Sequence, residues 1–230
     1  MLFNFNSYIQ MKNLTNENRL EKKFIYNQGD VSFRQFLING MFIEKYEPRL
    51  VNSIYFDTPV FHDVWDNING FGNRKKIRIR WYDQINKSNV FIEEKKKINS
   101  VTQKTVKDLG IFRDYTELCR FIDNEKFLTQ EFILKKKLNI NRTISIQYLR
   151  NYYELPNQKL RLTIDSNLKV FNNYPIKYIN LDKTILELKY KVSNAQFVNE
   201  FICNNKLDNR NRKFSKYVNS FIELNDSAII

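Results

Sequence analysis

The chain has 230 residues, of which 38 are Lys or Arg and 25 are Asp or Glu, so its formal charge at pH 7 is +13. Apolar residues make up 42% and aromatic residues 15%, a composition that excludes a disordered chain. No apolar run approaches the roughly 20 residues that cross a bilayer, and the N-terminus shows no basic-then-apolar secretory signal. We therefore expect a globular protein of the cytoplasm.

The hydrophobic pattern predicts a polar arm over residues 1–18 and one domain over residues 19–225. Alternating apolar and polar residues predict strands, and apolar residues at helical spacing predict helices. The predicted strands are 19–27, 50–57, 74–83, 89–97, 101–107, 140–154, 159–171 and 183–191. The predicted helices are 31–43, 62–69, 114–137 with a break near 123–124, 194–204 and 214–224.

Strands outnumber helices in this prediction and follow one another closely. The expected class is therefore α+β with a largely antiparallel sheet. Asp30 is expected to cap the first helix, and Ser193 or Asn194 the fourth, because their side chains can accept hydrogen bonds from free backbone N–H groups.

Charged residues recur on one side of the predicted strands. Successive strand residues point to opposite faces, so residues two apart share a face. Arg78 and Arg80 therefore oppose Ile77, Ile79 and Trp81. The same alternation gives a charged side to the other strands, with the residues Glu21, Lys23, Glu93, Lys95, Arg161, Asp165, Glu187 and Lys189. Arg142 is the exception, because it is in phase with apolar residues, and we expect it at a strand end or a bulge.

Two interpretations fit the charged face, and the pattern leaves both open. An antiparallel sheet commonly buries one face and hydrates the other, where Glu and Lys form weak cross-strand pairs. Alternatively, the strands form a barrel with the charged residues inside and helices over the apolar outer face. Unpaired ions inside would each cost on the order of several kcal/mol, so such a barrel needs a polyanion and a divalent cation. Arg and Lys suit phosphate oxygens, which predicts a site for a nucleoside triphosphate or a longer phosphate chain.

The composition limits other kinds of chemistry. The positive charge indicates an anionic partner, whether nucleic acid, a membrane surface or a phosphorylated metabolite. One His and two Cys nearly exclude a Cys/His zinc site, and Cys119 and Cys203 are expected to be reduced thiols rather than a disulfide. No G-K-[ST] P-loop is present.

Eight short motifs follow one another along residues 19–220. They are R-x-E-x-K-F at 19–24, S-I-Y-F-D-T-P at 53–59, N-R-K-K-I-R-I-R-W-Y at 73–82, F-I-E-E-K at 91–95, N-R-T at 141–143, R-L-T-I-D at 161–165, I-L-E-L-K at 185–189 and K-F-S-K-Y at 213–217. In this order they resemble the polyphosphate polymerase (VTC, vacuolar transporter chaperone) domain of the triphosphate tunnel metalloenzymes, also called the CYTH-like superfamily. The resemblance implies an antiparallel β-barrel tunnel with a charged lumen and peripheral helices.

The resemblance also implies a function and a set of site residues. The activity would be transfer of the γ-phosphate of ATP to a growing polyphosphate chain, with Mn²⁺ or Mg²⁺ as cofactor. Basic residues would clamp the phosphates, namely Lys23, Arg78, Arg80, Lys95, Arg142, Arg161, Lys213 and Lys216. Glu187 would hold the metal, with Glu21, Glu93, Asp165 and Lys189 in supporting roles. The partners would be ATP and inorganic polyphosphate or pyrophosphate, not nucleic acid, and a separately encoded membrane partner is compatible with the family.

Three alternatives to the polymerase remain open. A triphosphatase or polyphosphate hydrolase would use the same clamp with water as the acceptor. A binding module would hold polyphosphate or nucleotides without turnover. A nucleic-acid-binding protein would carry a surface stripe of cations with interleaved aromatic residues, and that stripe is not evident.

Overall fold

The computed structural model describes residues 19–98, 101–124, 140–207 and 213–226, so the predicted arm over 1–18 lies outside the described residues. The chain divides into two compact units. Among the described residues, the first unit comprises residues 55–142, and the second unit comprises residues 19–54 and 143–226. The single domain over 19–225 stays a prediction.

The second unit is an antiparallel sheet. Its strands are β1 (Arg19–Asn27), most of β2 (Ile43–Asp57), most of β6 (Asn141–Glu154), β7 (Arg161–Asn173), β8 (Lys177–Leu181) and β9 (Lys183–Lys191). The hydrogen-bonded order is β1-β9-β7-β6-β2, and β8 pairs with the distal part of β7. The register between β6 and β7 shifts between Gln147 and Leu149, opposite Asn167, whose φ is +52°. This irregularity lets β7 pair with β9 along one half and with β8 along the other.

Two of the three described helices of this unit pack on the apolar side of its sheet. The second unit contains α1 (Arg34–Asn39), α4 (Ala195–Asn204) and α5 (Lys216–Asp226). Its core brings together apolar strand residues with residues of α1 and α4, among them Leu162, Leu186, Leu188, Phe36, Val198 and Ile202. Burying these side chains leaves the opposite phase of the same strands to the charged residues. The prediction of an apolar face covered by helices is therefore confirmed in this unit.

The first unit is a smaller sheet with two helices. Its strands are β3 (Asn73–Tyr82), β4 (Phe91–Ile98) and β5 (Val101–Asp108), in the order β3-β4-β5 with antiparallel pairing. Its helices are α2 (His62–Ile68) and α3 (Tyr115–Asp123). Ile77, Ile79 and Trp81 of β3 are buried, and the Trp81 ring lies 6.2 Å from the ring of Tyr115 in α3.

Two carboxylates accept hydrogen bonds at the N-termini of the helices of this unit. Asp57 accepts hydrogen bonds from the backbone N–H groups of Thr58, Asp63 and Val64, and Asp114 accepts one from Glu117 at 2.8 Å. Such bonds satisfy the free donors at a helix N-terminus and favour negative charge there.

The structure corrects several predicted boundaries. The first helix is shorter than 31–43, and Asp30 does not cap it, because its carboxylate accepts from Ser32 while Phe33 occupies the N-cap position. Asn194 does precede α4, but its amide donates to the carbonyl of Lys159 instead of capping the helix. The strand β8 and the first half of β2 were not predicted. Of the predicted helix 114–137, residues 125–137 lie outside the described residues.

Two further expectations concern the thiols and the membrane. Cys119 and Cys203 are both free, as predicted. None of the helices in the described ranges combines the length and the apolar character needed to cross a bilayer.

Candidate functional site

The register of the second unit collects its predicted site residues on one face. Directly paired residues on neighbouring strands lie on the same face of a sheet. Lys23 of β1 and Thr163 of β7 are both opposite Glu187 of β9, while Glu21 and Arg161 are both opposite Lys189. One strand further, Asp165 is opposite Arg150 of β6. The face contains the predicted residues Glu21, Lys23, Arg161, Asp165, Glu187 and Lys189, and we call it the second-unit charged face.

Glu187 lies at the centre of this face. Its residue exposure is only 4%. The ammonium of Lys189 lies 2.7 Å from one of its carboxylate oxygens, and that of Lys23 lies 3.8 Å from the other. Burial raises the pKa of Glu187, but Lys189, a hydrogen bond with Glu21 and the charge of Lys23 together lower the pKa well below its usual range. Glu187 is thus a buried carboxylate that is ionised at neutral pH.

Asp165 forms a second buried centre on the same face. It is fully buried, and the guanidinium of Arg150 donates two hydrogen bonds to its carboxylate, of 2.5 and 2.7 Å. The ammonium of Lys216, the first residue of α5, also contacts Asp165. Burial opposes the ionisation of Asp165, but Lys216 and Arg150 hold its pKa below the usual value. Because Glu187 and Asp165 are both buried, the interpretation in which water covers the whole charged face does not apply to this unit.

The segment before α5 also reaches this face. The ammonium of Lys23 donates to the backbone carbonyl of Phe214 at 3.2 Å. Lys213 precedes this residue and is exposed, whereas the side chain of Lys216 is only 10% exposed. Arg161 is exposed, and its guanidinium donates to the buried carboxylate of Glu154 at 2.9 Å. The structure therefore brings Lys216 next to the face and leaves Lys213 at its edge in solvent.

The first unit has a charged face of its own, which is strongly basic. Arg78 is paired with Glu93 in register, and Lys95 is paired with Lys76 on one side and Lys104 on the other. Extending the alternation along β3, β4 and β5 gives seven cations on this face, namely Arg74, Lys76, Arg78, Arg80, Lys95, Lys97 and Lys104. Only two carboxylates share it, Glu93 and Asp108. We call it the first-unit basic face.

Glu93 organises the centre of the basic face. Its residue exposure is 6%, and it accepts from Arg78 Nε at 2.7 Å and from Lys104 at 2.9 Å. Burial raises the pKa of Glu93, but Arg78, Arg80 and Lys104 hold it far below its usual range. Arg78 also donates to the hydroxyl of Tyr55 at 3.2 Å. Two carboxylates cannot neutralise seven cations, so this face retains a surplus of positive charge.

Arg142 is the predicted site residue that joins neither face through its described contacts. It is the second residue of β6, at the strand end where it was predicted. Its guanidinium pairs with Asp123 at 2.9 Å and donates to the sulfur of Cys119 at 3.1 Å. Both partners belong to α3. Its place in the phosphate clamp stays a prediction.

The donor set fits a divalent cation that is shared with a phosphate ligand. Within the described ranges, no group of three or more His, Cys, Asp and Glu side chains is arranged to hold a metal ion. Glu187 and Glu21 each have a carboxylate oxygen 3.8 Å from the ammonium of Lys23, which places the two carboxylates close together. Mg²⁺ and Mn²⁺ commonly use one or two carboxylates and take their remaining ligands from water and substrate phosphates. Glu187 and Glu21 are therefore the residues that would hold such an ion.

Sequence reasoning missed two residues that the structure places at the centres of these faces. Lys104 lies in V-T-Q-K-T-V-K, where charged and polar residues occupy both phases of the strand. Arg150 shares its phase with Ile146 and Tyr148, so alternation gives no reason to select it. The signal available for Arg150 was its chemistry, since a guanidinium on an apolar phase needs a buried carboxylate partner.

Comparisons with known proteins agree with this fold. The VTC domain family matches residues 6–225 of the chain. Subunit 2 of the vacuolar transporter chaperone complex of Saccharomyces cerevisiae is 26% identical over an alignment that covers 66% of this chain. That alignment covers 22% of the yeast protein, so the chain spans about a fifth of its relative's length.

Solved structures give the same result. A Bacillus halodurans protein provisionally described as an adenylate cyclase has a TM-score of 0.57 at 11% identity, covering 89% of this chain and 98% of its own. A Vibrio parahaemolyticus protein with the same description has a TM-score of 0.52 at 10% identity, covering 90% and 99%. Similarity at these identities shows the fold, so the chain shares an antiparallel α+β fold with both proteins.

Proposed function

The chain belongs to the VTC domain family, and from that premise we propose that it is a polyphosphate polymerase that transfers the γ-phosphate of ATP to a growing polyphosphate chain. Family and fold support an enzyme that acts on phosphates. The observation that carries the proposal is Glu187, a buried and ionised carboxylate in contact with Lys23 and Lys189. A carboxylate among cations provides both metal-binding oxygen atoms and donors for phosphate oxygens.

The cations of both charged faces are proposed to bind phosphate groups. In the first unit these are Arg78, Arg80 and Lys95, with Lys104 as an addition. In the second unit they are Lys23, Arg161 and Lys216, with Lys189 beside Glu187 and Lys213 at the edge. Each positive charge stabilises the negative charge that phosphoryl transfer spreads over the phosphate oxygens.

The transfer itself asks for little covalent chemistry from the protein. An oxygen of the terminal phosphate of the polyphosphate chain attacks the γ-phosphorus of ATP, the bond from that phosphorus to the β,γ-bridging oxygen breaks, and ADP leaves. The side chains align the two phosphates and neutralise their charge, so neither a His base nor a Ser or Cys nucleophile is required. A divalent cation bound by Glu187 and Glu21 would draw charge from the phosphate oxygens.

Product analysis tests this proposal. Purified protein is incubated with ATP and Mn²⁺ or Mg²⁺, and products are separated on a gel stained for polyphosphate. We expect long chains with the wild type and with Glu200→Gln, an exposed change on α4, but not with Glu187→Gln. Free phosphate without chains, lost in Glu187→Gln, would instead assign a triphosphatase. No turnover and no binding of ATP or polyphosphate would contradict the proposal.

A further inference from the structure

A buried ionic network joins the start of α5 to the strands of the second-unit charged face. Arg150 and Asp165 are direct partners on β6 and β7, and the guanidinium bonds to both carboxylate oxygens. Lys216 contacts the same carboxylate from α5. Asp165 is 0% exposed, and the side chains of Arg150 and Lys216 are each 10% exposed. The three groups are therefore held in a nearly water-free environment.

A single aromatic ring supports both cations. The guanidinium carbon of Arg150 lies 5.3 Å from the centre of the Tyr148 ring, and the ammonium of Lys216 lies 4.9 Å from it. Cations within about 6 Å of an aromatic face are attracted to it, more strongly where water is excluded. Tyr148 is itself buried at 1% exposure. The ring and the carboxylate thus fix the position of a Lys side chain that would otherwise sample many rotamers.

The charges of this network do not cancel. Arg150 and Lys216 contribute two positive charges and Asp165 one negative charge, which leaves +1. Arg150 and Lys216 share the single negative charge of Asp165, so the two cations together keep positive charge for another anion. Lys216 also acts on Glu187, whose pKa falls through the charges of Lys189, Lys23 and then Lys216.

We propose that Arg150 and Asp165 are positioning residues that hold the ammonium of Lys216 at the second-unit charged face, where it binds a phosphate group. This inference rests on the proposed function, because it names how one of the phosphate-binding cations is held. A purely structural role would be different: the pair would fasten β6 to β7, and its loss would weaken the fold whatever residue stands at position 216.

A double-mutant cycle on ligand affinity separates the two roles. The probe is inorganic tripolyphosphate with Mg²⁺, and its Kd is measured by calorimetry for the full chain. We expect Lys216→Met and Arg150→Met each to weaken binding about tenfold, since each removes a charge-assisted contact or its support. In the Lys216→Met background, Arg150→Met should add less than about twofold, because it acts through Lys216.

Controls keep the cycle interpretable. Arg113→Met removes an exposed guanidinium of the first unit that pairs with Asp114, and it should leave Kd within about twofold. Arg150→Lys keeps the positive charge but cannot form both hydrogen bonds to Asp165, so its affinity for tripolyphosphate should lie between those of wild type and Arg150→Met. If Arg150→Met does not fold, Arg150→Lys replaces it in the cycle. Multiplicative losses in the double variant would overturn the positioning role. A wild-type protein that does not bind tripolyphosphate would instead contradict the proposed function, and this inference with it.

Discussion

Lys23 and Glu187 are direct partners on the antiparallel strands β1 and β9, and their charged atoms lie 3.8 Å apart. The same Lys23 ammonium donates to the carbonyl of Phe214, just before α5. One cation therefore connects the buried carboxylate of the sheet to the start of the C-terminal helix. This arrangement places the helix start, including Lys216, next to the residues proposed to bind phosphate and metal.

Removing the charge of Glu187 should abolish metal-dependent turnover. Glu187→Gln keeps the shape of the side chain but removes the proposed metal ligand, so we expect kcat/KM to fall by about 100-fold or more. Titrating Mn²⁺ against activity should also show weaker metal dependence. The matched control Glu200→Gln removes an exposed carboxylate on α4 and should leave both values unchanged. An active Glu187→Gln variant with normal metal dependence would exclude Glu187 as the ligand.

Removing Arg78 should weaken catalysis more than it weakens stability. Its guanidinium is only 25% exposed and pairs with Glu93, and it lies among the cations of the first-unit basic face. We expect Arg78→Met to lower kcat/KM by about 100-fold, because a preorganised cation at a transferring phosphate is lost. Steady-state kinetics with ATP measures this, with Arg113→Met as the control for removal of an exposed guanidinium. Equal effects of the two variants would argue against phosphate binding by the basic face.

Asp63 should make the protein less stable as the pH rises. Burial, together with the charge of the nearby Asp57 carboxylate, raises its pKa to about 7. Since the folded state holds this proton more tightly than the unfolded state, stability from this group is present below about pH 4 and is lost as the pH rises toward 7. We therefore expect Asp63→Asn to raise the free energy of unfolding at pH 8 by on the order of 2–4 kcal/mol relative to wild type, and to change it little at pH 4.

Urea denaturation at pH 4, 6 and 8 checks the Asp63 prediction. Only the difference between wild type and Asp63→Asn is used, because Glu93, Asp165 and Glu187 have lowered pKa values and act in the opposite direction. Their stabilisation is present above about pH 4 and is lost as the pH falls further. A difference that does not depend on pH would show that Asp63 is ionised in the folded protein.

Neutralising Asp165 should destabilise the second unit strongly. In Asp165→Asn the guanidinium of Arg150 and the ammonium of Lys216 stay buried without their counter-charge, which typically costs about 3–5 kcal/mol. Thermal and urea unfolding at pH 7 measure the loss. Adding Arg150→Met to Asp165→Asn should restore part of it, because one of the two stranded charges is removed. A loss below about 1 kcal/mol, as is usual for an exposed pair, would contradict the buried network.

The strands with strict alternation could be predicted from the sequence. The bounds of β1 and β9 are those predicted, since apolar residues alternate with charged residues along most of each strand. The first half of β2 was missed because it is exposed and contains Pro48, and Pro in a run argues against a strand. The short strand β8 was missed because its five residues follow a turn at Pro175 and have no long period.

The sequence predicts which side of its strand a charged residue lies on, but it does not predict which residue it pairs with. Alternation placed Lys23, Glu187 and Asp165 on one side of their strands, and the register then brought these strands together. The partner of Asp165 could not be found by alternation, because Arg150 shares its phase with Ile146 and Tyr148. Tertiary contacts from α5 decide such positions, and a period of two residues carries no information about them.

The stoichiometry of ATP use tests the central claim most directly. ADP and free phosphate are quantified in the same reaction of wild-type protein with ATP and Mn²⁺ or Mg²⁺. The polyphosphate product is then separated from the nucleotides and digested to monophosphate by acid. A polymerase releases ADP with little free phosphate, and acid then recovers one phosphate for each ADP. One free phosphate for each ADP before acid treatment, in a reaction that depends on Glu187, would contradict the transfer of phosphate to a polyphosphate chain.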